Sequence, residues 1–192
     1  MMEAYLKTSD IIDWQHPAVL AKAGELSTGK QCQTKIAKAC FEWVRDHIRH
    51  IGDHNIQTVS CSASEVIGSG SGICYAKSHL LAALLRANAI PAGFCYQRLS
   101  KDGNGAPYCL HGLNAVFLPE TGWYRVDPRG NRDGIDARFD PPVEYPAFSI
   151  QFKDEIDFHQ ILPDPLPVVI TALKKWKTKK DLWENLPDAR QI

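Results

Sequence analysis

Gly72-Ile73-Cys74-Tyr75-Ala76-Lys77-Ser78-His79-Leu80-Leu81-Ala82-Ala83-Leu84-Leu85-Arg86-Ala87-Asn88-Ala89-Ile90-Pro91-Ala92 is the stretch on which the fold turns. Over residues 74–89 apolar side chains surround much of a helical cylinder, so the spacing predicts a helix buried inside the protein rather than lying on it. Gly68-Ser69-Gly70-Ser71-Gly72 halts any helix before it, and Pro91 ends it. Cys74 then falls in the first turn, where unpaired N–H groups carry a partial positive charge that favours a thiolate. Gly70 and Gly72 are expected to leave the approach to that thiol unobstructed.

Upstream, good helix formers follow Pro17 and predict a helix over 13–26 with the proline in its first turn. Ile36, Ala39, Cys40, Trp43, Val44 and Ile48 recur at three and four and predict an amphipathic helix over 31–50. Ser62-Ala63-Ser64-Glu65 reads as a helix start. Downstream, residues 94–99, 111–118 and 123–126 are short, aromatic and β-branched, the pattern of antiparallel strands. Pro141, Pro142, Pro146, Pro163 and Pro165 make 129–165 a long wrapping segment before a last helix over 167–176. Helices first and strands second predict an α+β fold, and 192 residues without an internal repeat predict one domain over 1–192.

Lys+Arg and Asp+Glu both number 22, and the sequence pI is near 7.0, so no global charge directs the chain to nucleic acid or to an anionic membrane. The first residues carry an early acid and lack the apolar core of a signal peptide, and no apolar run approaches membrane-spanning length; the expectation is a soluble, unexported, cytoplasmic protein. The six cysteines are expected as free thiols, because a chain this long needs no disulfides to fold. Gly24 to Gln31 resembles a phosphate-binding loop but has Gln31 where the hydroxyl belongs and no preceding strand. The glycines at 68, 70 and 72 miss the third glycine of a dinucleotide fingerprint. His47, His50, His54 and Cys61 match no strong zinc spacing, so no metal is expected. The basic run Lys174 to Lys180 reads as a solvated helix end.

Three stretches carry a thiol, an imidazole and a carboxylate in chain order: Gly72-Ile73-Cys74-Tyr75, His111-Gly112-Leu113-Asn114 and Trp123-Tyr124-Arg125-Val126-Asp127-Pro128. His111, expected to open a strand, would take the thiol proton and return it to a leaving amine, with Asp127 holding the ring by its other nitrogen. Pro119-Glu120-Thr121 joins two strands as a short hairpin loop. With Leu118 opposite Gly122, Asp127 stands opposite Leu113 and diagonal to His111 on one face; with Leu118 opposite Trp123 it turns to the other. A Cys74–His111–Asp127 triad demands the first register. Tyr75, His79 and Trp123 read as packing residues.

These motifs resemble the transglutaminase-like superfamily of papain-type thiol enzymes, whose pattern is Gly-x-Cys entering a central helix, Leu-Leu-Arg-Ala with Ile-Pro-Ala at its end, a His opening a strand, and Trp-x-x-x-Asp-Pro. The match covers about 30–130, leaving 131–192 as wrapping segment and C-terminal helix, and Tyr5-Leu6 to His16-Pro17 looks like bacterial members. The resemblance implies a papain-like fold with the thiol helix packed on an antiparallel sheet, and acyl chemistry through a thioester that needs no cofactor. Its substrate is expected to be a peptide or protein amide. A cysteine protease or amidase is the expected activity, favoured over transfer to an amine by the short chain and an open loop at Gly103, Gly105 and Pro107. The alternatives are transglutaminase-type acyl transfer and a non-catalytic binding domain. Asn88-Ala89 replaces the usual Gly before Ile-Pro, and Gly112-Leu113 replaces an aromatic residue, which is expected to alter a wall of the cleft. The Cys74 N–H is the expected first oxyanion donor, with a side chain from 57–60 as the second.

Overall fold

The computed structural model describes residues 2–192. A 3-10 turn at Met2–Leu6 leads to α1 (Pro17–Ser27), α2 (Gln33–His47), β1 (Arg49–His50), α3 (Ala63–Ser69), β2 (Ser71–Gly72) and α4 (Cys74–Ala87). The strands β3 (Ala92–Ser100), β4 (Tyr108–Leu118) and β5 (Gly122–Val126) follow. The chain ends through β6 (Arg138–Asp140), β7 (Val143–Tyr145), β8 (Ile156–Asp157), α5 (Pro167–Lys175) and α6 (Lys179–Glu184).

Every residue of α4 except Ala87 is buried, with α1, α2 and α3 against it on the helical side and β3 and β4 on the sheet side. Leu80, Leu81, Leu84 and Leu85 are sealed from water, each contributing roughly 1.5–3 kcal/mol by burial. Two buried cations on α4 hydrogen-bond to backbone carbonyls. Lys77 Nζ donates to the Arg45 and Ile48 carbonyls, among the acceptors that α2 leaves unpaired at its C-terminal end, and burial pushes its pKa down to about 7. Arg86 donates to the carbonyls of Lys7 at 2.8 Å and Ala92 at 2.8 Å, tying the N-terminal segment to the start of β3.

The turn after α4 holds a residue type that its backbone disfavours. Ala89 has φ +55°, and Ile90 N–H closes the turn on the Leu85 carbonyl at 3.0 Å. A left-handed residue there is ordinarily glycine, because a Cβ crowds the following carbonyl. Ala89 is exposed, so nothing packs on its methyl to compensate. Ala89→Gly is expected to stabilise the fold by roughly 0.5–1 kcal/mol, read as a higher denaturant midpoint at unchanged slope.

The main sheet runs β5-β4-β3-β8, all antiparallel. Leu118 pairs with Gly122 and Asn114 with Val126, so Asp127 leaves β5 opposite Leu113, the register that the hairpin reading demanded. Alternate residues of β4 serve different neighbours. On the face toward α4, Asn114 Nδ2 donates to the Ser78 carbonyl at 3.1 Å, while Leu113 and Ala115 join Cys95 in a small separate cluster on the other face.

Several boundaries differ from the sequence reading. The helix expected over 13–26 starts at Pro17, capped by His16 Nδ1, which accepts from Ala18 N–H. The helix expected over 31–50 stops at His47, because residues 49–50 pair in parallel with 71–72. His111 is the fourth residue of β4 rather than its opener, since Tyr108, Cys109 and Leu110 pair across to Ser100, Leu99 and Arg98. The wrapping segment contains β6, β7 and β8, and α6 follows the last expected helix; each is too short to leave a periodic signal. The basic run spans the end of α5 and the start of α6, with Trp176 packed against the core. All six cysteines are free thiols. No helix among the described residues is long and apolar enough to cross a membrane.

Candidate active site

Cys74 sits at the first position of α4, whose N-cap, Ile73, offers no side-chain hydrogen bond, so the first-turn N–H groups are left without a side-chain cap. His111 reaches it from β4. His111 Nε2–H donates to Asp127 Oδ2 at 2.7 Å, and the Cys74 sulfur is close enough to act on the charge of the ring. With Nε2 committed to the carboxylate, Nδ1 is the ring nitrogen left open.

Asp127 is fully buried and accepts three hydrogen bonds: the imidazole, the Ala147 N–H at 2.9 Å and the Arg129 N–H at 3.1 Å. Burial alone would raise its pKa, but the His111 charge and these hydrogen bonds hold it below the usual carboxylate range. For His111, burial by itself lowers the pKa, and the Asp127 carboxylate and Cys74 sulfur reverse this and raise it to about 10. The charged form of the ring is therefore favoured, and Phe148 packs edge-on against it at a centroid distance of 5.0 Å.

Cys74 and His111 border a cleft of about 440 Å³, while Asp127 is fully buried and does not line it. The lining includes Leu99 to Gly103, Phe148, Phe152, Trp183 and Leu186, together with His50, Arg129 and Arg132. Arg129 is held by a bidentate ion pair with Asp53, at 2.5 and 2.8 Å.

Several sequence expectations about this site are corrected. Gly70 has φ +62° and ends α3 as a left-handed cap, while a Cβ on Gly72 would stand 3.1 Å from the Ala76 Cβ; both serve chain packing, not substrate approach. Gly112 is no cleft wall: a Cβ there would meet the Tyr75 ring at 2.9 Å, so its bareness lets α4 approach β4. Leu113 turns to the small cluster on the other face. Residues 57–60 stay outside the cleft: Gln57 Nε2 donates to Asn55, and Ser60 Oγ shares a hydrogen bond with Ser69 at 3.0 Å. His79 packs away from the thiol as expected, its Nδ1 on the Cys61 carbonyl at 2.7 Å. His47 stacks on Trp43, and no group of three or more His, Cys, Asp or Glu among the described residues is arranged for a metal ion. The sequence reading missed Ala147, Phe148 and Trp183, because a backbone N–H or a wall donated by a distant segment or a short terminal helix has no local pattern.

The chain belongs to the transglutaminase-like superfamily, whose family model matches residues 21–128. Among solved structures it is similar to a candidate cysteine protease from Cytophaga hutchinsonii, at 20% identity and a TM-score of 0.54 over 67% of this chain and 42% of that one. The periplasmic domain of TgpA from Pseudomonas aeruginosa is similar at 22% identity and a TM-score of 0.46, over 65% of this chain and 45% of that one. The chain thus spans less than half the length of these structures. A comparison with curated protein sequences returns no match.

Proposed function

We propose that the chain is a thiol-dependent amide hydrolase acting on peptide or protein amides. The observation that carries this reading is the 2.7 Å contact from His111 Nε2 to the buried Asp127 carboxylate, with Cys74 and His111 lining the same cleft. Cys74 is the nucleophile: its sulfur attacks the amide carbonyl, His111 protonates the departing amine, and a thioester is left on the enzyme. His111 then takes a proton from the incoming nucleophile, and Asp127 keeps the ring oriented and its charge balanced.

Water completes the cycle in this reading. An amine competes only when it is bound and positioned, which can supply an effective molarity of ~10⁵ M or more. The loop after β3 and the segment around Phe148 line the cleft, and water needs no bound acceptor site to enter it. Incubation with a peptide amide and a labelled primary amine is expected to give mostly free acid. Mostly amine adduct at millimolar amine would assign transamidation instead, and neither product from any amide would favour a binding domain.

A further inference from the structure

The cleft lining includes a buried imidazole that this chemistry leaves unused. His50 is only 6% exposed and lines the cleft beside Ile73 and Cys74. Backbone pairing puts it there: β1 lies parallel to β2, His50 stands opposite Gly72, and Ile51 N–H donates to the Gly72 carbonyl at 3.2 Å. The imidazole thus flanks the chain as it enters α4. Trp183 packs edge-on against the ring at a centroid distance of 6.5 Å.

A buried polar side chain ordinarily has a partner. His50 Nδ1 is sealed from solvent and has none. The nearest carboxylate oxygen, on Asp53, lies 3.8 Å away, beyond hydrogen-bond reach, and both Asp53 oxygens are already engaged by Arg129. Burial first, and then the Arg129 charge, hold the ring neutral, with a pKa lowered to about 3. A neutral imidazole keeps one N–H, and no acceptor within reach claims it for Nδ1, so the Nε2–H form is free to donate. The Cys74 N–H, at the start of α4, likewise has no side-chain cap to satisfy it. Two uncharged donors thus belong to residues that line the same cleft.

We propose that His50 donates the second hydrogen bond to the carbonyl oxygen of the acyl group under attack, opposite the backbone N–H of Cys74. This rests on the reading of Cys74 as nucleophile. As the sulfur's electron pair forms the C–S bond, the carbonyl π pair moves onto oxygen, and both donors hold that oxygen without releasing their protons. When the pair returns, the C–N bond breaks and the amine leaves with a proton from His111. A neutral imidazole suits this task, because it stabilises developing negative charge while itself remaining uncharged.

Two reagents separate this role from a merely structural one. Iodoacetamide alkylates a thiolate by displacement, with no oxyanion, whereas p-nitrophenyl acetate acylates it through one. His50→Phe is expected to slow acylation of Cys74 by roughly 10²-fold or more while alkylation keeps its wild-type rate, and His50→Gln, which retains an N–H donor, is expected to recover part of the loss. Unchanged acylation in His50→Phe, or a parallel fall in both rates, overturns the proposal. Should His50→Phe fail to fold by circular dichroism, the wild type carries the test. With ¹⁵N-labelled histidine, acetaldehyde forming a thiohemiacetal on Cys74 should shift the His50 ring N–H resonance, and an unmoved resonance overturns the role. Failure of p-nitrophenyl acetate to acylate wild-type Cys74 is a separate outcome, which overturns the hydrolase reading and the His50 role with it.

Discussion

With Cys74 as the proposed nucleophile, Cys74→Ala is expected to lower amide turnover by ~10⁴-fold or more, since only binding and positioning would remain. The chain should stay folded. Cys74 is 6% exposed at a helix start, and removing its sulfur leaves the packing of Leu80, Leu81 and Leu84 along α4 intact. In the wild type, limiting iodoacetamide followed by peptide mapping should place the first adduct on Cys74. Burial pushes Cys40, Cys95 and Cys109 up to about 12 and Cys61 to about 11, so these four are protonated and inert at neutral pH. Cys32, half-buried at the N-cap of α2, is reachable, but Cys74 has the His111 ring beside it. First labelling at Cys32 would remove Cys74 from the nucleophile's place.

Asp127→Ala is expected to cost both activity and stability. The carboxylate orients the His111 ring and balances its charge, and its loss should lower turnover by roughly 10⁴-fold. Breaking this fully buried pair from one side should also destabilise the fold by about 3–5 kcal/mol near neutral pH. The pH dependence has a definite sign. His111 has an ordinary pKa of 6.5 and a folded one of about 10, so the folded state holds the proton more tightly and the pair's stabilisation is fully present below 6.5. It is lost as pH rises toward about 10. The stability difference between wild type and Asp127→Ala should therefore be largest near pH 6 and shrink steadily up to pH 10. Urea unfolding of both proteins at several pH values measures it, and a gap that widens with pH would contradict the ion pair.

The sequence by itself determined the parts of this protein that local chemistry dictates. Apolar side chains surround much of the helix over residues 74–87 and carry it into the core, and the glycines and Ile73 before it place Cys74 at the helix start. The Pro119-Glu120-Thr121 loop made the hairpin legible but left two registers open, and the observed pairing of Leu118 with Gly122 is the one that puts Asp127 opposite Leu113. Gly112 was legible as a departure, but its reason was not, because the Tyr75 ring that fills the missing Cβ's place comes from another element.

Tertiary structure alone decided the rest of the site. The Ala147 N–H that anchors Asp127 and the Phe148 ring on His111 arrive from 20 or more residues away in an irregular segment, and the Trp183 edge on His50 comes from α6. Such contacts depend on where the chain returns, which neither periodicity nor propensity encodes. His50 reads locally as the end of an amphipathic helix; only the pairing of residues 49–50 with 71–72 turns it into a strand residue beside the thiol. Tertiary pairing satisfies the backbone there and overrides the helical pattern, because an N–H and a carbonyl left unpaired at a buried helix end cost more than the local preference gains.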